Sequence, residues 1–166
     1  PLIAAESLRN LDTIHLSELH PQEFAALKEN MAPYGGIYRQ KDGWEMAMSL
    51  CPPEPRRGLL LIDPSFEVKS DYQTIPETIA KLHRKWGVGV IMLWYPILTD
   101  APHKPMIRDL QSALPDALTH EVSFPPARPG HRMVGSGLFV VNAPYGFAEE
   151  AARLSALFQD RLSHLM

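Results

Sequence analysis

Two rhythms of apolar residues alternate along the 166-residue chain: short aliphatic runs, and stretches where apolar residues recur every three or four positions. The first rhythm predicts strands and the second predicts helices. Strands are expected over residues 13–19, 37–40, 59–62, 87–95, 118–124 and 137–142, and helices over 22–31, 44–50, 71–86, 104–114 and 147–165. Pro21 suits the first turn of its helix, where a missing N–H costs nothing. Pro76 is tolerable only if it too falls in a first turn. Residues 51–55 and 125–130 hold three prolines each and read as stiff loops, while Gly35-Gly36 and Gly135-Ser136-Gly137 read as turns. Strand and helix alternate, and then two strands follow each other across a loop. That order predicts one α/β domain with a mostly parallel sheet and an antiparallel edge.

The run Leu59-Leu60-Leu61-Ile62 predicts a strand buried on both faces, and it stops abruptly at Asp63-Pro64-Ser65-Phe66. Ligands of open α/β sheets sit outside the carboxyl ends of the strands. An Asp-Pro-x-aromatic turn at that place offers a carboxylate, a backbone carbonyl and a flat apolar face. An aromatic amine is a poor nucleophile because its lone pair is delocalised into the ring. Hydrogen bonds from its two N–H groups to Asp63 and the Pro64 carbonyl would push the nitrogen toward a tetrahedral shape and aim its lone pair at an electrophile. Phe66 would stack on the base, a contact worth about 1–3 kcal/mol. The base must first leave its helix or come from a single strand.

Glu18, Asp42 and Asp63 end three successive predicted strands, each one strand–helix unit apart. In one parallel sheet they would line a single rim, where an acid can accept from ribose hydroxyls. Asp42 beside Gly43 would suit an adenine amino group, the glycine allowing close approach. The competing reading is that Glu18 and Asp42 merely cap the helices that follow. Trp94 and Tyr95, at another strand end, would wall a base pocket or simply be core. A second candidate turn, Asn142-Ala143-Pro144-Tyr145, should face away from the rim because its strand belongs to the antiparallel pair.

Composition narrows the classes. With 45% hydrophobic and 21% charged residues the chain suits one globular domain. Cys51 is the only cysteine, which excludes a disulfide framework and favours a reducing compartment, so a cytoplasmic location is expected. No apolar run approaches the roughly 20 residues of a membrane span. The first residues lack the basic region of a signal peptide, and the missing initiator Met suggests a processed or truncated product. Net charge is −3, which argues against a generally basic coat but leaves room for local patches at Arg56-Arg57, Lys81/Arg84/Lys85 and Arg128–Arg132. The seven histidines show no metal-ligand spacing, so no metal is expected. Neither a G-x-G-x-x-G turn nor a Gly-x-Ser-x-Gly elbow is present.

Several stretches together resemble the bacterial large-subunit ribosomal RNA adenine-N6 methyltransferase family (RlmJ type). They are Pro1-Leu-Ile-Ala4, Leu16-Ser-Glu-Leu-His-Pro21, Lys41-Asp-Gly43, Arg57-Gly-Leu-Leu-Leu-Ile-Asp-Pro64, Lys69-Ser-Asp-Tyr-Gln73, Leu93-Trp-Tyr-Pro96, and Gly135-Ser-Gly137 through Asn142-Ala-Pro144. The resemblance implies a class I S-adenosylmethionine-dependent, Rossmann-like methyltransferase fold whose first strand is missing. Residues 1–166 would then be the C-terminal part of the catalytic domain, with cofactor affinity and turnover depending on a preceding part. It further implies Glu18 on the cofactor ribose, Asp42 and Gly43 at its adenine end, and Asp63 as the catalytic residue that also borders the cofactor. Pro64 and Phe66 complete the catalytic turn, and Phe66, Trp94 and Tyr95 would meet the substrate. The family's Asp-Pro-Pro-Tyr reads Asp-Pro-Ser-Phe here, so the aromatic face survives while Ser65 loses the second proline's stiffness. The expected partner is ribosomal RNA, with no membrane, and the expected state a monomer. The alternatives are methylation of DNA adenine or a protein glutamine, and a non-catalytic nucleic-acid-binding protein linked to the use of external DNA.

Overall fold

The computed structural model describes residues 1–66 and 70–164, which form two units, Pro1–Cys51 and Pro52–Met166. The first contains α1 (Leu2–Ser7), β1 (His15–Ser17), α2 (Pro21–Met31), a 3₁₀ turn (Ala32–Tyr34), β2 (Ile37–Arg39) and α3 (Gly43–Leu50). Strands β1 and β2 pair in parallel, His15 opposite Ile37 and Ser17 opposite Arg39. Pro21 opens α2 at its first turn, as its fixed φ favours. The crossover back to β2 passes through Gly35 and Gly36, both at positive φ (69° and 143°), a turn most side chains would strain. Helix α1 had no periodic signal in the sequence because it buries no residue.

The second unit runs β3 (Leu59–Ile62), α4 (Asp71–Lys85), β4 (Val90–Leu98), α5 (His103–Ala113), β5 (Leu118–Ser123), β6 (Met133–Val141) and α6 (Phe147–Ser163). Its sheet has the order β3-β4-β6-β5, with β3 and β4 parallel and β6 antiparallel to both of its neighbours. The α/β class and the antiparallel edge follow the sequence pattern. The single continuous sheet does not: the described strands form a two-stranded and a four-stranded sheet.

Strand register assigns the faces. Leu60, Ile62, Ile91, Leu93, Tyr95 and Phe139 share one face, because neighbours in register point the same way. Helix α5 covers that face, since His103 at its start stacks on Tyr95 with ring centroids 5.7 Å apart. Helix α4 packs on α5 through a stripe of Ile75, Ile79 and Leu82, all completely buried. On the opposite face α6 lies over β5 and β6, tied by Ser155 Oγ at 2.9 Å from His120 Nε2 and by Gln159 Nε2 donating to the Ser123 carbonyl.

Four expectations are corrected here. Leu59 and Leu61 are 56% and 50% exposed, so β3 is buried on one face only; it is an edge strand of its sheet, and α4 and α5 cover just the side carrying Leu60 and Ile62. Strand β4 continues through Pro96 to Leu98, because β3 ends opposite Leu93 and the proline's missing N–H leaves no β3 acceptor wanting. Pro76 sits in the second turn of α4 rather than the first, and the bond its N–H would make to the Tyr72 carbonyl is absent. Gly135 and Gly137 lie inside β6 and are not a turn. Gly137 is opposite Tyr95, whose ring occupies the space a Cβ would need, and Gly135 is crowded in the same way by Val122 and Ile97.

Gly137→Ala should therefore destabilise the protein by about 1–3 kcal/mol, the usual cost of overpacking a core. Thermal unfolding checks this, with Gly43→Ala, at a position of ordinary φ with open space around a Cβ, as the companion that adds a methyl group without crowding.

Candidate active site

Hydrophobic pairing carries the β3 backbone in register with β4 as far as Ile62 opposite Leu93, and Asp63 is the first residue beyond that pair. It stands at the carboxyl end of two parallel strands, the position where open α/β sheets present ligands. The loop after β4 is on the same rim, and so is the start of the antiparallel β6. There the Thr99 N–H donates to the Arg132 carbonyl at 2.9 Å, pinning the loop that carries Arg128, His131 and Arg132. Arg132 pairs with Asp100 at 2.6 Å, while Arg128 and His131 are exposed. Asn142 leaves β6 at the opposite rim, where its Nδ2 donates to the Gly87 and Gly89 carbonyls at 3.0 and 2.8 Å. The second candidate turn is thus a clamp on the far end of the sheet.

Asp63 accepts no hydrogen bond from the described residues, and partial burial raises its pKa above the ordinary carboxylate value. Pro64 fixes the chain after it and has no N–H to give. Phe66 is buried and held at φ 54°, an outlier for a bulky residue that costs about 1–3 kcal/mol. Its ring packs on Tyr72 with centroids 4.9 Å apart and edge-on to Trp94 at 6.3 Å. Three aromatics therefore form a row beside the Asp63 carboxylate's turn. Such strain at a strand end, next to an acid whose pKa is raised, is the pattern of a prepared site.

Of the residues expected here, the structure brings together Asp63, Pro64, Phe66 and Trp94. Tyr95 is not among them. It points to the other face of the sheet, is completely buried, and donates its hydroxyl to Glu121 Oε1 at 2.8 Å. Burial and that carboxylate push the Tyr95 phenol far up, and burial keeps the stacked His103 imidazole below its usual value. Tyr95, His103 and Glu121 are a core polar cluster. Tyr72 was legible only within the likeness to the family and carried no assigned role there; its position at the second residue of α4 places it on Phe66.

In the first unit, Glu18 and Asp42 follow the parallel strands β1 and β2 and share the rim of that pair. Glu18 Oε1 accepts from the His20 N–H at 2.7 Å, and Asp42 Oδ1 accepts from the Glu45 N–H at 2.9 Å, capping α3. The capping reading is thus correct for Asp42, yet each carboxylate keeps a second oxygen with further acceptor capacity. Gly43 has open space where a Cβ would stand. Carboxylate oxygens and an unobstructed glycine fit the polar end of a nucleoside. Among the described residues there is no cluster of metal ligands, and no helix is long and apolar enough to cross a membrane.

Comparison with known proteins gives a consistent picture. A family model described as "RsmJ: Ribosomal RNA large subunit methyltransferase D, RlmJ" matches residues 1–165. Ribosomal RNA large subunit methyltransferase J of Escherichia coli K12 is 34% identical over 152 residues, 90% of this chain and 54% of that protein. The protein of the same name from Haemophilus influenzae is 33% identical over 87% of this chain and 52% of its own length. The chain thus spans about half the length of the curated relatives it matches. A crystal structure of a Legionella pneumophila protein superposes with a TM-score of 0.87 at 29% identity, covering 96% of this chain and 60% of that one. A Klebsiella pneumoniae protein assigned as an O-methyltransferase superposes at 0.53 with 14% identity, over 84% of this chain and 66% of its own, and shows the shared fold.

The raised Asp63 pKa has a direct check. Its carboxyl should titrate above the ordinary value of about 3.9 in an NMR pH series. Because the folded-state pKa is raised, the charged form is the penalised one: the stability cost of Asp63 is present above that pKa and is relieved as pH falls through it. Asp63→Asn should accordingly leave thermal stability at neutral pH unchanged or slightly higher.

Proposed function

Since the chain belongs to the RsmJ/RlmJ family of ribosomal RNA large subunit methyltransferases, we propose that it forms part of an S-adenosylmethionine-dependent enzyme that methylates the exocyclic N6 amine of an adenine in large-subunit ribosomal RNA. The observation that carries this reading is the Asp63-Pro64-Ser65-Phe66 turn, at the carboxyl end of β3 and beside an aromatic row.

S-adenosylmethionine, when bound, supplies the electrophilic methyl. Glu18 would accept from its ribose hydroxyls, and Asp42 with Gly43 would receive its adenine end. At the acceptor side, the Asp63 carboxylate and the Pro64 carbonyl accept from the two amine N–H groups. That draws the nitrogen lone pair out of conjugation, and Phe66 and Trp94 hold the base plane. Orientation and desolvation then supply the rate enhancement, with no covalent intermediate on the protein. The methylated nitrogen sheds its proton toward Asp63 or water. This requires the ionised carboxylate, so activity should fall as pH drops through the raised Asp63 pKa.

Phosphates are the second element of recognition. Arg128, His131 and Arg132 occupy a loop on the same rim of the sheet as Asp63, and such residues position a nucleic acid without reading its sequence. Within a chain of net charge −3, a local patch of this kind is what would steer RNA.

The test uses the full-length protein with labelled S-adenosylmethionine and large-subunit ribosomal RNA. Asp63→Ala should lose methyl transfer by at least about a thousandfold while unfolding near the wild-type temperature. Retained activity would sink the assignment. DNA and protein offered as competing acceptors should leave the RNA signal unchanged.

A further inference from the structure

We propose that Tyr72 is a further acceptor-contacting residue of this site, its hydroxyl donating a hydrogen bond to the N1 ring nitrogen of the target adenine; the assignment rests on the methyl-transfer reading above. The Tyr72 oxygen is buried, and among the described residues it has no hydrogen-bond partner. A buried polar atom left unpaired calls for a specific reason, because native structures satisfy nearly all of them. The neighbouring Phe66, whose ring lies against Tyr72, is held at a positive φ. Two independently unfavourable features thus coincide on one pair of touching side chains, next to the turn that bears Asp63.

The chemistry of adenine says what would satisfy the hydroxyl. Its edge beside N6 presents a donor amine and an acceptor ring nitrogen, and extruded bases are read on the Watson–Crick edge. Asp63 and the Pro64 carbonyl can only accept, so they match the amine and nothing else. A base recognised by them alone would be confused with any other planar amine. A donor is needed for the ring nitrogen. The Tyr72 phenol provides one that stays protonated, since burial, with Asp100 adding to it, pushes its pKa upward. The other hydroxyl of the turn, Ser65, is exposed and therefore carries no such desolvation cost. Phe66 packs against the Tyr72 ring, so a base stacked on Phe66 would bring its N1 edge to the side of the turn where the phenol stands.

Tyr72→Phe removes one oxygen and keeps the ring. In full-length protein it should lower kcat/KM for a short ribosomal RNA substrate by about tenfold, the worth of one neutral hydrogen bond. The KM for S-adenosylmethionine should not move, and the melting temperature should stay level or rise, which a merely structural tyrosine would not show. A second measurement changes the substrate instead: wild-type protein should lose a similar factor on RNA carrying 1-deazaadenosine at the target, and Tyr72→Phe should lose nothing more on it. Wild-type kcat/KM in Tyr72→Phe alongside a dead Asp63→Ala would overturn this inference alone. So would a full second loss on 1-deazaadenosine, or the same deficit arising from Ser65→Ala in its place. Absence of methyl transfer by the wild-type protein would overturn the methyl-transfer reading and this assignment with it.

Discussion

Tyr95 lies flat on β6 because Gly137 has no side chain, and much of the second unit follows from that contact. It fixes the antiparallel register of β4 with β6, which in turn holds the face of Leu93 and Phe139 toward α5. Slipping either strand by one residue would turn every apolar side chain to the wrong side. The same β4 pairs with β3 up to Ile62, so the place where Asp63 leaves the sheet depends on a glycine far along the chain. The hydroxyl of Tyr95 reaches Glu121 on β5 and its ring stacks with His103 on α5, so one residue ties three neighbouring elements.

The sequence disclosed most of this fold, for a physical reason. Helices such as α4 and α5 bury one stripe, and strands such as β5 alternate, so their periods are written in the residues. Errors came where a residue answers to a distant partner. Gly135 and Gly137 look like a turn until Tyr95 and Ile97 are seen above them. Leu59 and Leu61 look doubly buried because four aliphatic residues in a row say nothing about which side a helix covers. Pro96 looks like a strand terminator, but only its unpaired side lacks an N–H. Of the candidate site, the Asp63 turn is legible from its strand end, while Trp94 lies inside β4 and meets the turn through Phe66. Tyr95 was misassigned because adjacent strand residues point to opposite faces, and sequence alone does not say which face holds the ligand.

The site itself combines a rigid frame with a costly arrangement at its mouth. Asp63 follows directly on the β3–β4 pairing, whereas Phe66 is bent into an unfavourable backbone state and packs on Tyr72. A surface built this way favours whatever relieves it.

Asn142 holds the far end of the same sheet, bridging two carbonyls of the turn that leads into β4. With that rim fastened by a side chain, strand alignment does not rest on the loops beside Asp63. Those loops can accordingly change in length or sequence without unfastening that end of the sheet. A frame fastened at one end leaves the other end tolerant of alteration, so changes beside Asp63 should cost the sheet little.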